Sequence, residues 1–272
     1  MSAADTSKEL SSLLKTLRGQ YAQVLGAAQS SCVLFDPGEP LLGCFLKSFM
    51  LWESTTAKAA QAIRRIEAAL VDFNELRACM PDEIVGIIGE RYPRATERAL
   101  RMRTALNIIY SREHRVTLEP IVGMDRSQAR EHFDRLDGVP AFVASRVCLC
   151  GLAHHAAPVD SRIHRRLIEA KLVHADSSPE AAAALLEKKS RPGELLETYT
   201  LLQAWADDAA YTSAESHLSD LRPRHKPVAE HIRKEQEARR KAARRAKLGP
   251  ARALRKKKAA KERTRMGKKK PR

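Results

Sequence analysis

The 272-residue sequence contains no apolar run near the roughly 20 residues that a membrane-spanning helix requires. The best stretch, Leu41–Trp52, is interrupted by Lys47. The opening residues, Met1–Glu9, have neither a basic segment nor an apolar one, so no signal peptide is expected. Cysteine is scarce: the five, at positions 32, 44, 79, 148 and 150, are odd in number and lack a Cys-x-x-Cys spacing. That argues against a disulfide framework and for a reducing, cytoplasmic compartment. Long period-two alternation is missing and β-branched residues are sparse, which argues against a fold built on sheets. Aromatic residues make up 5%, yet 43% of the chain is apolar, enough to bury a core.

Acidic residues are missing from one end. The formal charge is +16, but residues 222–272 hold 23 of the 49 Lys and Arg and 4 of the 33 Asp and Glu, a net of +19. Residues 1–221 are left at −3. Affinity for a polyanion is therefore concentrated in the tail, in Arg239, Arg240, Lys241, Arg244, Arg245, Arg255, Lys256, Lys257, Lys258, Lys268, Lys269 and Lys270. Phosphate binding of this kind carries no sequence information.

Before the tail the periodicity is helical. Leu10, Leu13, Leu14, Leu17, Tyr21 and Val24 recur at three- and four-residue steps over Thr6–Leu25, and Thr6 with Glu9 has capping-box spacing. Leu41–Trp52 reads as a buried helix and Thr56–Val71 as an amphipathic one. Pro81 opens a short helix, and Pro93 suits the first turn of another through Ala99, Met102, Leu106 and Ile109. Ser127–Leu136 and Ala141–Cys150 are helices joined by a tight turn at Asp137–Pro140. Asp160, Ser178 and Gly193 mark further helix starts. Pairs such as Glu230 with Lys234 and Glu235 with Arg239 suggest a solvent-exposed helix over Ala229–Lys247. Gly249 and Pro250 break it, and the rest of the tail is Lys/Arg/Ala low complexity. The expected fold class is all-α.

Two segments carry chemistry. Leu136–Val147 is a helical hairpin whose glycine-bearing turn directs N–H groups and a positive helix end outward, a site suited to phosphate. Ala157–Leu167 places the Asp160 carboxylate at the mouth of the next helix. Asp is also a preferred N-cap, so Asp160 can be a cap, a catalytic group or both. His154, His155, His164 and His174 show no metal-type spacing, and no metal site is expected. Cys148 and Cys150 point apart on one helix and are assigned to packing.

Together the two segments resemble the helix-hairpin-helix DNA glycosylases of the endonuclease III superfamily. Leu136, Gly138, Val139 and Ala144 match that family's hairpin, and Val159, Asp160, Ser161, Ile163 and Arg165 match its second motif, with no insertion between the two. Ile88, Gly89, Arg94 and Ala95 resemble an upstream turn of the family, and the likeness covers residues 40–210. Three departures accompany it. The family's lyase lysine falls on Phe142, which cannot form a Schiff base. The hairpin's second glycine falls on Pro140, which has no N–H, and no cysteine follows Cys150 to hold an iron–sulfur cluster.

The resemblance implies a six-helix barrel over residues 40–155 ending in the hairpin at 126–150. It also implies a second lobe from 1–39 and 156–215, with a disordered or partly helical basic tail over 216–272. It implies a monofunctional DNA N-glycosylase of base-excision repair that extrudes a damaged or mismatched base from double-stranded DNA. Such a protein would be a monomer associated with the nucleoid, with no cofactor and no membrane contact. Asp160 would face the positive charge that develops on the sugar. Phe142 would line the base pocket or pack in the core. Trp52 would be a wedge entering the duplex or a core residue, with Glu53 a conceivable second carboxylate. Gly138, Val139, Ala141, Arg146 and Arg165 would contact DNA. Two other readings stay open: a non-catalytic architectural DNA-binding protein on the same fold, and an RNA-associated basic protein.

Overall fold

The computed structural model describes residues 3–27, 35 and 38–209, and every regular element among them is helical. In chain order these are α1 (Ala3–Gln20), α2 (Ala22–Ala27), α3 (Pro40–Leu51), α4 (Thr56–Ala69), α5 (Phe73–Ala78), α6 (Pro81–Ile88) and α7 (Ala95–Glu113). A 3-10 turn at Glu119–Ile121 precedes α8 (Arg126–Asp134), α9 (Ala141–Gly151), α10 (Ser161–Glu169), α11 (Pro179–Lys189) and α12 (Leu195–Asp207).

Side-chain caps set five of the starts. Oxygens of Thr55, Asp72, Asp125, Asp160 and Ser178 accept N–H groups that α4, α5, α8, α10 and α11 cannot satisfy internally. Prolines 40, 81 and 179 occupy first helical positions, where a missing N–H costs nothing. Two expectations are corrected. α1 already runs from Ala3, so Thr6 lies inside the helix and not at its mouth. α7 begins after Pro93, with Arg94 as a left-handed N-cap. The run 40–155 holds helices α3–α9, of which α5 spans six residues, too short to leave a periodic signature.

Helix α3 is the hub. It is apolar on all sides, ten of its residues are buried, and it packs against α4, α7 and α9. Phe45 packs edge-on to Phe49 at 5.0 Å and stacks with Phe133 of α8 at 6.3 Å. Gly151 lets the end of α9 lie on α3, because a Cβ there would come within 2.4 Å of Leu41 Cδ1. Helix α12 packs on α1, α2 and α10 and also reaches α4 and α9, so it joins the helices before and after the hairpin. Among the described residues no helix is long and apolar enough to cross a membrane. The tail arginines and lysines, and the helix expected over Ala229–Lys247, lie outside the described residues.

Candidate active site

The mouth of α10 is built by Asp160. Its backbone is extended, as an N-cap requires, and its Oδ1 accepts the N–H groups of Arg162 at 3.1 Å and Ile163 at 2.9 Å. Oδ2 accepts the N–H of Glu53 at 3.1 Å, from the loop between α3 and α4. Asp160 is 2% exposed. Burial, and then the negative charge of Glu53, push its carboxyl up to about 7, against the pull of Arg162 and the N–H groups.

That loop is Trp52–Thr55. Glu53 has φ +55°, and its carboxylate accepts the N–H of Ser161 at 3.0 Å and the Ser161 hydroxyl. Two buried guanidinium groups hold the carbonyls on either side. Arg98 of α7 donates to the oxygens of Phe49 and Trp52, and to Pro93 at 3.0 Å, while burial pulls its pKa down to about 10. Arg162 donates to the Ser54 oxygen, to Ala206 at 2.8 Å and to the Asp207 carboxylate at 2.8 Å. The other Asp207 oxygen accepts the Thr56 N–H at 3.0 Å, and Tyr92 donates to the Met50 carbonyl at 2.7 Å. The free carbonyls at the end of α3 are thus satisfied by side chains from elsewhere in the fold.

The hairpin between α8 and α9 lies on α7. Gly138 has φ +90°, and a Cβ there would sit 2.8 Å from the Arg101 carbonyl oxygen, so both conformation and space demand glycine. Val139 closes the turn by donating to Leu136 at 3.2 Å. Pro140 is the N-cap of α9, and Ala141 stands exposed at its first position. The strap before Asp160 is held by Glu187 of α11, whose carboxylate accepts the Ala157 N–H at 3.1 Å and pairs with Arg126 of α8.

Several expected site residues belong to the core. Trp52 is 8% exposed, with the guanidinium groups of Arg94, Arg98 and Arg101 at 5.1, 5.5 and 5.6 Å from its ring, so it packs inside, in the core placement that is one of its two expected roles. Arg146 is buried and donates to the Tyr199 hydroxyl and to Ser48 Oγ, both at 2.9 Å. It therefore ties α9 to α12 and α3 and is not a phosphate contact. Phe142 is 3% exposed, lies edge-on to Tyr199 at 6.3 Å, and lines a small cleft with Ala157 and Val159. Arg165 is half-buried on α10, one turn beyond Asp160. His155 is bonded to the Glu187 carbonyl at 2.7 Å and His164 to Ser177 Oγ at 3.0 Å.

Sequence reasoning missed Arg98, Arg162, Asp207 and Glu187. Nothing in their local sequence marks them, because each acts on a segment distant in the chain. The pair Asp160 and Glu53 can do one kind of chemistry well: hold negative charge beside a developing cation and take a proton from water.

No protein-family model and no curated protein matches the sequence. Solved structures do. A trapped endonuclease III–DNA covalent intermediate, the estranged-adenine complex, superposes with a TM-score of 0.55 at 14% identity, over 73% of this chain and 85% of that one. The apo 8-oxoguanine glycosylase/lyase of Clostridium acetobutylicum gives 0.49 at 16% identity, over 76% and 70%. A thermostable thymine-DNA glycosylase gives 0.49 at 15%, over 75% and 88%. The first of these has the higher score and spans most of both chains. The chain has the helical fold of endonuclease III.

Proposed function

We propose that this protein is a DNA N-glycosylase of base-excision repair that hydrolyses the bond between a damaged or mismatched base and its sugar. The observation that carries the reading is the Asp160 carboxylate. It is fixed by three N–H groups at the mouth of the helix that comes after the hairpin, with Glu53 beside it. A negative charge preorganised in this way stabilises the oxocarbenium-like sugar of the transition state and orients the attacking water. Phe142 offers no amine, so the reaction ends at the abasic site without a lyase step. Double-stranded DNA is the partner. The hairpin turn and the mouth of α9 face the phosphates, with N–H groups supplied by Ala141 and its successors. The +19 tail adds affinity without selectivity.

One observation favours a second reading. Asp160 is 2% exposed and both its oxygens are already occupied, as suits a cap in an architectural DNA-binding protein that has lost turnover. Single-turnover assays separate the two. The full-length protein is incubated with duplexes carrying uracil, thymine mismatches, alkylated or oxidised bases, and each sample is divided before alkali. The glycosylase reading expects strand breaks on one of these substrates only after alkali, and no covalent adduct with borohydride. Tight duplex binding with no base released from any of them would support the architectural reading.

A further inference from the structure

The α3–α4 loop is built far beyond what a link between two helices needs. Its flanking carbonyls are gripped by two buried guanidinium groups, Arg98 on Trp52 and Arg162 on Ser54. Between those grips Glu53 adopts a left-handed backbone at φ +55°, a region that non-glycine residues seldom enter. Glycine or asparagine would fill such a turn with less strain. A glutamate there is explained by what its two polar ends do. Its N–H reaches Asp160 Oδ2 at 3.1 Å, and its carboxylate takes the N–H of Ser161 at 3.0 Å together with the Ser161 hydroxyl.

The first three N–H groups of α10 are thereby shared between two acids: Ser161 binds Glu53, and Arg162 and Ile163 bind Asp160. Capping a helix requires one acceptor side chain, and Asp160 supplies it. The second carboxylate brings like charge to a buried aspartate, which opposes its ionisation.

We propose that Glu53 is a positioning residue for Asp160: a fixed second carboxylate that aims Asp160 and governs when it holds a proton, so that the pair is the working acid–base unit. What the pair does to a sugar rests on the glycosylase reading; the pairing itself belongs to the folded chain. The groups around Asp160 agree with this assignment. Arg162 faces it from α10 and Tyr199 from α12, while Arg98 of α7 and Tyr92, in the turn before it, flank the Glu53 side. Asp207 lies behind Arg162 and is ion-paired with it at 2.8 Å. Glu53 is thus the negative group that acts on Asp160 directly, second only to burial in raising it.

The test is a carboxyl-carbon NMR titration of the full-length protein carrying labelled aspartate and glutamate, with Asp160 assigned through Asp160→Asn. In the wild type the Asp160 carboxyl carbon should titrate above the ordinary aspartate range. In Glu53→Gln, which keeps an acceptor for Ser161 but removes the charge, the Asp160 midpoint should fall by about one pH unit, with an unchanged circular dichroism spectrum. An Asp160 midpoint equal in the two proteins would overturn the proposal. If Glu53→Gln does not fold, the wild-type Asp160 curve decides alone, and a midpoint in the ordinary aspartate range would overturn the proposal. Base release, where a substrate is found, adds a second readout. Its acid limb should move with the Asp160 midpoint, and a limb unmoved by Glu53→Gln would overturn the proposal while leaving the glycosylase reading intact. An Asp160 midpoint that falls in Glu53→Gln, in a protein that releases no base, would do the reverse.

Discussion

The hairpin and the α3–α4 loop are held in opposite ways. The hairpin is made locally, by a left-handed glycine, a bond from Val139 to Leu136 three residues back, and a proline that opens α9. The loop is made from a distance. Arg98 reaches Phe49 and Trp52 across 49 and 46 positions, and Arg162 reaches Ser54 across 108. A turn whose chemistry is local can be moved or replaced as a unit, whereas a loop gripped by buried side chains depends on the whole fold. The loop is the costly one, since burying a guanidinium group has to be offset by the hydrogen bonds it makes.

The largest expected effect comes from breaking the loop. Arg98→Leu strands three carbonyl acceptors, and at about 1–3 kcal/mol for each buried unsatisfied group the loss should be about 4 kcal/mol. Urea unfolding should show it as a lower midpoint at unchanged slope. A loss below about 1 kcal/mol would mean that the loop holds itself.

Next in size is the cost of charging Asp160. Its carboxyl is raised in the fold, so between the ordinary value of 3.8 and about 7 the native state carries a proton that the unfolded chain has lost. Stability should therefore fall as pH rises through that window, with a slope of up to about 1.4 kcal/mol per pH unit. Unfolding measured at pH 5 and pH 8 should show this slope in the wild type and a flatter one in Asp160→Asn. Equal slopes would place the buried charge elsewhere.

The smallest effect belongs to the hairpin. Gly138→Ala forces a left-handed alanine against the Arg101 oxygen and should cost about 2 kcal/mol, with duplex affinity falling in parallel. Full affinity at reduced stability would show that the turn is scaffold and not a DNA contact.

The same contrast explains what could be read in the sequence. The Pro81 and Ser178 helix starts, the hairpin turn and the Asp160 cap are local, and each left its residue type at the right offset, whereas the Thr6 cap and the Pro93 start are not where their residue types point. Residue type does not reveal burial, as Trp52 and Arg146 both show. An arginine in a hairpin helix reads as a phosphate contact until its guanidinium is found bonded to Tyr199 and Ser48 in the core. Glu53 was legible as a carboxylate near the site, but its left-handed backbone and its bond to Ser161, 108 positions away, were not. Arg98 and Arg162 left no local signature, since the groups they satisfy lie on other helices.

The central claim, that Asp160 is a working carboxylate and not only a cap, is tested most directly by single-turnover base release with the wild type and Asp160→Asn. Asparagine keeps an oxygen for the N–H groups of Arg162 and Ile163 and gives up only the acceptor for the Glu53 N–H, so α10 stays capped and duplex binding should change little. The account predicts that base release falls by about 100-fold or more, the usual cost of losing a preorganised electrostatic group. Equal rates for the two proteins would contradict it and leave Asp160 as the N-cap of α10.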